Sequence, residues 1–109
     1  MSREQGQKAF VAVSSRCNSA HESDYKRFSK SFPVLIQTCG LAQALSFALA
    51  REQQAYLTDL ASIVGLDSAQ MIRLTLESPV PIYQKHSRDL LAASTWIKRY
   101  SEALLKGDD

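Results

Sequence analysis

A run of apolar side chains spaced seven residues apart near the C-terminus places the strongest constraint on the fold. The run consists of Tyr83, Leu90, Ile97 and Leu104, and three residues after each of the first three come His86, Ala93 and Tyr100. At about 100° per residue, these seven positions form one stripe along a helix, which is the pattern of a helix packed against a core. The sequence therefore predicts a single long helix over residues 80–106 with this stripe facing inward.

The side of this helix opposite the stripe is basic. It carries Lys85, Arg88, Arg99 and Lys106, with Ala92 among them. Such a surface is either the solvated outer side of a bundle helix or a surface that contacts phosphate groups. Trp96 lies between the two sides, where it can belong to the core or to an interface between subunits.

The rest of the chain is also predicted to be helical, because apolar residues recur at helical spacing and no segment shows the alternation of a strand. Further helices are predicted over residues 2–17, 21–38, 41–52, 53–64 and 68–76, with Asp67 or Ser68 capping the fifth and Pro81 in the first turn of the last. Their predicted inward residues are Phe10, Val13 and Cys17; Tyr25, Phe28, Phe32, Leu35 and Cys39; Leu41, Leu45, Ala48 and Leu49; Tyr56, Leu57, Leu60, Ile63 and Val64; and Met71, Ile72 and Leu76. The predicted fold class is all-α, a single-domain helical bundle of five to six helices over residues 1–109 with a long C-terminal helix.

The helix predicted over residues 21–38 repeats the two-sided plan. Its outer side carries three cations, Lys26, Arg27 and Lys30. Ser19 and Glu22 have the spacing of a capping box at its start. Pro33 falls inside the pattern, and because proline lacks an N–H and disfavours a helical conformation at the preceding residue, it predicts a kink or a junction between two helices.

Composition limits the class of protein more than it indicates a function. The chain has 109 residues, 45% of them hydrophobic, which suits one globular domain with a core. Its net charge of +2 does not indicate nucleic acid, although residues 1–51 carry seven Lys/Arg and three Asp/Glu whereas residues 52–109 carry six and eight. No apolar run approaches the roughly 18 residues of a membrane span, and no signal peptide opens the sequence. Cys17 and Cys39 show no zinc-ligand spacing, so we expect a cytoplasmic protein without membrane association.

No set of catalytic or metal-binding residues can be assembled from the sequence. His21 and His86 are 65 residues apart, and His86 falls on the inner edge of the long helix, where we expect a packing role. No zinc-protease, nucleophile-elbow or phosphate-loop motif occurs. Asp89 and Glu102 stand among basic residues, which favours surface ion pairs. The chain is therefore predicted not to be an enzyme and to need neither a metal nor a cofactor.

Three blocks of sequence, residues 25–49, 55–66 and 83–105, resemble a known family in their order and spacing. The first block holds Pro33, Leu35, Ile36, Gly40, Leu41, Gln43, Ala44, Leu45 and Phe47, and the last holds Trp96, Ile97, Lys98, Arg99 and Tyr100. Across residues 8–106 the chain resembles the small all-α subunit of type III-B CRISPR effector complexes, the Cmr assembly. It departs from that family before Gly40, where the family often has a basic residue and an asparagine and this chain has Gln37 and Cys39.

The resemblance implies a helical bundle that cleaves nothing itself. Copies of such a subunit stack head to tail into a minor filament beside the backbone subunits, and they help to line the groove where target RNA pairs with guide RNA. The implied partners are the backbone and large subunits, further copies of the same chain, and guide and target RNA, the RNA contacts being made largely through the backbone. The candidate RNA-binding residues are Lys26, Arg27, Lys30, Lys85, Arg88, Arg99 and Lys106.

A helix-turn-helix DNA-binding or adaptor domain is the alternative interpretation. Residues 58–76 form two short predicted helices around Gly65, as that motif would require. The second of these helices carries only Arg73 as a cation, whereas helices that read a DNA groove usually present several polar and basic side chains.

Overall fold

The computed structural model describes residues 3–107, and the described part of the chain contains six helices and no strand. The helices are α1 (Arg3–Ser14), α2 (Glu22–Cys39), α3 (Leu41–Ala50), α4 (Gln54–Ile63), α5 (Ser68–Glu77) and α6 (Val80–Leu104). The predicted all-α bundle with a long C-terminal helix is confirmed. The start predicted for the first helix, at residue 2, lies outside the described residues.

The long helix α6 organises the bundle, because α1, α2, α4 and α5 all pack against it. It runs antiparallel to α2. At one end the backbone N–H of Lys106 donates to Oε2 of Glu22, the first residue of α2, at 2.9 Å. At the other end the backbone N–H of Ala42, just beyond α2, donates to the Tyr83 hydroxyl at 3.2 Å.

The inward stripe of α6 is confirmed along most of its length, since His86, Leu90, Ala93 and Ile97 are all buried. It is wrong at Leu104, which is 36% exposed, while Leu105 is only 5% exposed. The helix ends at Leu104 and the backbone of Leu105 is extended, with φ −95° and ψ 150°. This change of backbone direction turns Leu105 into the core and places Lys106 outside the helix, so the predicted end at residue 106 is also wrong.

Most of the other predicted core residues are confirmed, and four are wrong. The buried ones are Val13, Tyr25, Phe28, Phe32, Leu41, Leu45, Ala48, Tyr56, Leu57, Leu60, Ile63 and Met71. Cys17, Leu35, Val64 and Ile72 are half-buried. The residues that were predicted inward and are exposed are Phe10, Cys39, Leu49 and Leu76. Each lies at an edge of its stripe, and a neighbouring residue of the same helix, such as Ile36 in α2, Ala44 in α3 or Thr75 in α5, is buried instead.

The starts and interiors of two helices differ in instructive ways. α2 continues through Pro33, which is buried beside Phe32, so the alternative of two helices meeting there is wrong. The predicted Ser19–Glu22 capping box does not form: the carboxylate of Glu22 accepts instead from the backbone N–H groups of Asn18 and Lys106. In α5 Asp67 is the N-cap, and Pro81 lies in the first turn of α6, as predicted.

Gly6 allows α1 to lie directly against the indole of Trp96. A Cβ built at Gly6 would be 3.0 Å from both Cη2 and Cζ2 of Trp96, which is too close for an unstrained contact. We expect Gly6→Val to lower the free energy of unfolding by about 1–3 kcal/mol, because the added side chain must displace the ring.

Chemical denaturation measures this loss, and the fluorescence of Trp96, the single tryptophan, reports the displacement of the ring. Gln7→Val is the matched control, since Gln7 is the next residue along and is exposed. Equal stability of the two variants would contradict the close packing of α1 on Trp96.

Candidate nucleic-acid interface

The seven predicted RNA-binding cations do not form one continuous surface. Because α2 and α6 are antiparallel, the start of α2 lies beside the end of α6. Lys106, tied through its backbone to Glu22, therefore belongs with the α2 cations rather than with the outer side of α6. The predicted grouping of Lys106 with Lys85, Arg88 and Arg99 is wrong, because the helix ends before it.

The three α2 cations differ in exposure. Lys26 is only 9% exposed, and its ammonium donates to the backbone carbonyl of Gly107 at 3.4 Å. Its predicted position on the outer side is therefore wrong: the apolar part of the side chain is buried and its charge faces the C-terminal end of the described chain. Lys30 is half-buried. Arg27 is exposed and lies 3.8 Å from Asp24, an exposed pair of the kind that contributes little to stability.

The α6 cations are more accessible, but one is neutralised. Lys85 forms an ion pair with Asp89 at 2.8 Å, which confirms the surface pairing predicted for Asp89. Arg88 is exposed and lines a shallow pocket of about 500 Å³ with Gly40, Leu41 and Tyr83. Arg99 is exposed, with its Cζ 6.0 Å from the centroid of the Trp96 ring. Neither arginine forms an ion pair with another residue of the part that the structure describes.

Arg88 and Arg99 lie on one stripe of α6. They are 11 residues apart, which at 100° per residue returns to within about 20° of the same direction and spans roughly 16 Å along the helix. Ala92 and Thr95, the half-buried residues between them on this stripe, carry no charge. We call this surface the arginine stripe, defined by Arg88, Ala92, Thr95 and Arg99. It presents two guanidinium groups at a fixed separation without a carboxylate between them.

An aromatic cluster adjoins the arginine stripe at Arg99. Trp96, half-buried, stacks on Tyr100 with ring centroids 5.6 Å apart and an interplanar angle of 15°. Phe10 of α1 contacts Tyr100 edge to face, with centroids 5.4 Å apart. Trp96 is thus shared between the packing of α1 on α6 and the surface, a position intermediate between the two predicted for it.

A buried ion pair, which sequence reasoning missed, joins the α1–α2 connection to α4. Arg16 donates from Nε and Nη2 to the two carboxylate oxygens of Asp59, at 3.0 and 2.9 Å, and the Tyr25 hydroxyl donates to Oδ2 of Asp59 at 2.6 Å. Asp59 is 6% exposed. The signal was available, since Asp59 is the one carboxylate among the inward positions of α4.

The electrostatics of this group are those of a structural contact. Burial and then the nearby Asp59 carboxylate raise the pKa of Tyr25 well above its ordinary value, and they raise the pKa of Tyr56 in the same order. The hydrogen bond to Asp59 raises the pKa of Arg16. Both phenols are therefore neutral and the arginine is charged at neutral pH, which is the arrangement that satisfies the Asp59 carboxylate.

His86 has the packing role that the sequence predicts. It is 8% exposed, and its Nε2 lies 3.3 Å from the Met71 carbonyl oxygen and 3.1 Å from the Thr75 hydroxyl, joining α6 to α5. Residues 3–107 contain no group of three potential metal ligands. None of the helices within this range is both long and apolar enough to cross a membrane.

Comparison with known proteins identifies the family. A family model described as "CRISPR-associated protein (Cas_Cmr5)" matches residues 1–104. The chain belongs to the Cmr5 family. The family match covers nearly the whole chain and confirms the resemblance seen in the three sequence blocks.

Two relatives of this Cmr5 family member come from the bacterium Thermus thermophilus. One, named "CRISPR system Cmr subunit Cmr5", is 31% identical over 104 residues, which cover 92% of this chain and 91% of the relative. The other is the crystal structure of a CRISPR-associated Cmr5 family protein, which superposes with a TM-score of 0.91 at 30% identity and covers 95% of this chain and 96% of its own. The helix-turn-helix interpretation is therefore not the one that the comparisons favour.

Proposed function

We propose that this chain, folded as a single domain, is the non-catalytic small subunit of a type III-B (Cmr) effector complex that acts in RNA-guided antiviral defence in the cytoplasm. In this proposal it stacks with further copies of itself, contacts the backbone and large subunits, and presents the arginine stripe to the guide and target RNA. Support comes from the family and from the relative in Thermus thermophilus that is named a Cmr subunit.

The observation that carries the RNA contact is the exposure of Arg88 and Arg99 on one stripe without ion pairs among the described residues. Guanidinium groups bind phosphate oxygens in a bidentate manner and remain charged at all physiological pH values. In an RNA-guided complex base pairing supplies the sequence specificity, so a lining subunit needs spaced phosphate contacts rather than groups that read bases.

Stacking head to tail requires two different surfaces that complement each other. The chain exposes an apolar corner where α5 meets α6, with Leu76 and Val80 exposed to 68% and 67%. A second apolar surface, a groove of about 620 Å³ between α1 and α4, is lined by Val11, Ala12 and Thr58. These two surfaces are our candidates for the contacts between copies and with the other subunits.

The proposal of a non-catalytic role rests on the uses that the candidate groups already have. His86 is buried and bonded to α5, and Asp59 is bonded to Arg16 and Tyr25. Asp89 is paired with Lys85. Each of these groups stabilises the fold or balances a surface charge.

Replacing both arginines of the stripe tests the RNA contact. In the reconstituted complex, Arg88→Gln with Arg99→Gln should weaken binding of target RNA and reduce the magnitude of the slope of log K against log salt by about two, roughly one for each lost phosphate contact. Fluorescence anisotropy of labelled target RNA over a range of salt concentrations measures both quantities.

The control removes two positive charges elsewhere. Lys8→Gln with Arg73→Gln alters exposed residues of α1 and α5 and should leave the salt slope unchanged. If both double variants assemble and have the slope of the unmodified complex, the arginine stripe does not contact RNA.

A further inference from the structure

A surface pocket beside Arg99 has a chemistry that phosphate binding does not use. Its volume is about 380 Å³, at the lower end of the roughly 300–1,000 Å³ of small-ligand pockets. The lining includes Arg3, Gly6, Gln7, Phe10, Trp96 and Tyr100. Aromatic rings form much of its wall, and Phe10 remains 44% exposed although apolar packing is available to it.

The charges around this pocket favour an anionic ligand. Arg3 is among its lining residues, and Arg99 lies over the Trp96 ring at one side. No carboxylate is among the described residues that line it. Arg99 also belongs to the arginine stripe, so the pocket is continuous with the surface that we propose to face RNA.

The pocket also holds hydrogen-bonding groups that a flat apolar contact would leave unused. The exposed side-chain amide of Gln7 can donate and accept. The indole N–H of Trp96 is shielded from solvent and has no acceptor among the described residues. A buried donor without an acceptor is unfavourable, and a ligand carrying a carbonyl oxygen would remove that penalty. Nucleobases combine such acceptors with a π face and are attached to a phosphate chain.

We propose that this pocket binds an unpaired nucleobase of single-stranded RNA, stacked against Phe10 and the Trp96–Tyr100 pair, while Arg3 and Arg99 contact the adjoining phosphates. The inference rests on the proposed RNA-facing role of the arginine stripe and adds a base contact to it. Stacking on aromatic rings tolerates any base, so this contact requires no sequence preference.

The fluorescence of Trp96 gives a direct test, because it is the only tryptophan in the chain. Titrating the full chain with a short oligoadenylate should quench its emission. Phe10→Leu should weaken binding roughly 5- to 150-fold, the range observed when one stacking ring is lost. Phe10→Tyr, which keeps a ring, should retain binding close to that of the unmodified chain. Thermal melts of both variants establish that each is folded.

An abasic ribose-phosphate oligomer of the same length separates stacking from charge. Equal quenching by the abasic oligomer, or no quenching by either, overturns the base contact. Arg88→Gln with Arg99→Gln in the assembled complex then decides independently whether the phosphate contact stands. If Phe10→Leu instead prevents the folded chain from joining the complex, the pocket is a protein contact and the inference is wrong.

Discussion

Leu90→Asp is expected to abolish the cooperative thermal unfolding transition of this chain. Leu90 is fully buried at the middle of α6, so the substitution removes its packing and places a carboxylate in an apolar environment. Lost packing alone costs about 2–5 kcal/mol, and the buried charge adds to it. The sum is comparable to the roughly 5–15 kcal/mol that stabilises a typical domain. Circular dichroism during heating measures the outcome.

Leu104→Asp is the matched control for this experiment. It changes the same residue type to the same charge on the same predicted stripe, but Leu104 is 36% exposed at the end of α6. We expect a folded protein with a melting transition close to that of the unmodified chain. Two equally damaging substitutions would mean that the stripe continues inward to residue 104, contrary to the structure.

Asp59→Asn is expected to lower the free energy of unfolding by about 3–5 kcal/mol, the usual cost of removing one member of a buried ion pair. The amide cannot accept from both Arg16 and Tyr25 as the carboxylate does, and it leaves the Arg16 charge without its partner. Urea denaturation of the folded chain measures the change, and a constant m-value indicates that both proteins unfold in the same way.

Asp89→Asn provides the comparison for Asp59→Asn. It removes the same charge from an exposed i,i+4 pair with Lys85, for which the expected loss is no more than about 0.5 kcal/mol. A loss at Asp59 as small as the loss at Asp89 would show that the Arg16–Asp59–Tyr25 contacts do not stabilise the fold. Tyr25→Phe, alone and combined with Asp59→Asn, then separates the contribution of the phenol.

The sequence was a good guide to the fold because helical spacing is a local property. The stripe of α6 and most inward residues of the other helices follow from it. The end of α6 does not: Leu104 and Leu105 are both apolar, and the nearest glycine, Gly107, comes two residues later. Which of two adjacent leucines is buried depends on where the helix stops, and tertiary packing decides that.

The candidate site was less predictable, because its main features join distant parts of the chain. Lys26 is buried against Gly107, which lies 81 residues away. Arg16 and Asp59 are 43 residues apart. A helical wheel places a cation on one side of its own helix and says nothing about a segment that later covers it. Arg88 and Arg99, which stay exposed in the described structure, keep the position on the outer side of α6 that the wheel assigned to them.

The contact between Gly6 and Trp96 makes two distant positions a single unit of evolutionary change. Gly6 has room for a hydrogen atom only, because the indole occupies the place of a side chain. A family member with alanine or a larger residue at the first position should carry a smaller side chain at the second. The two positions should therefore covary across the family, and a change at one should be followed by a compensating change at the other.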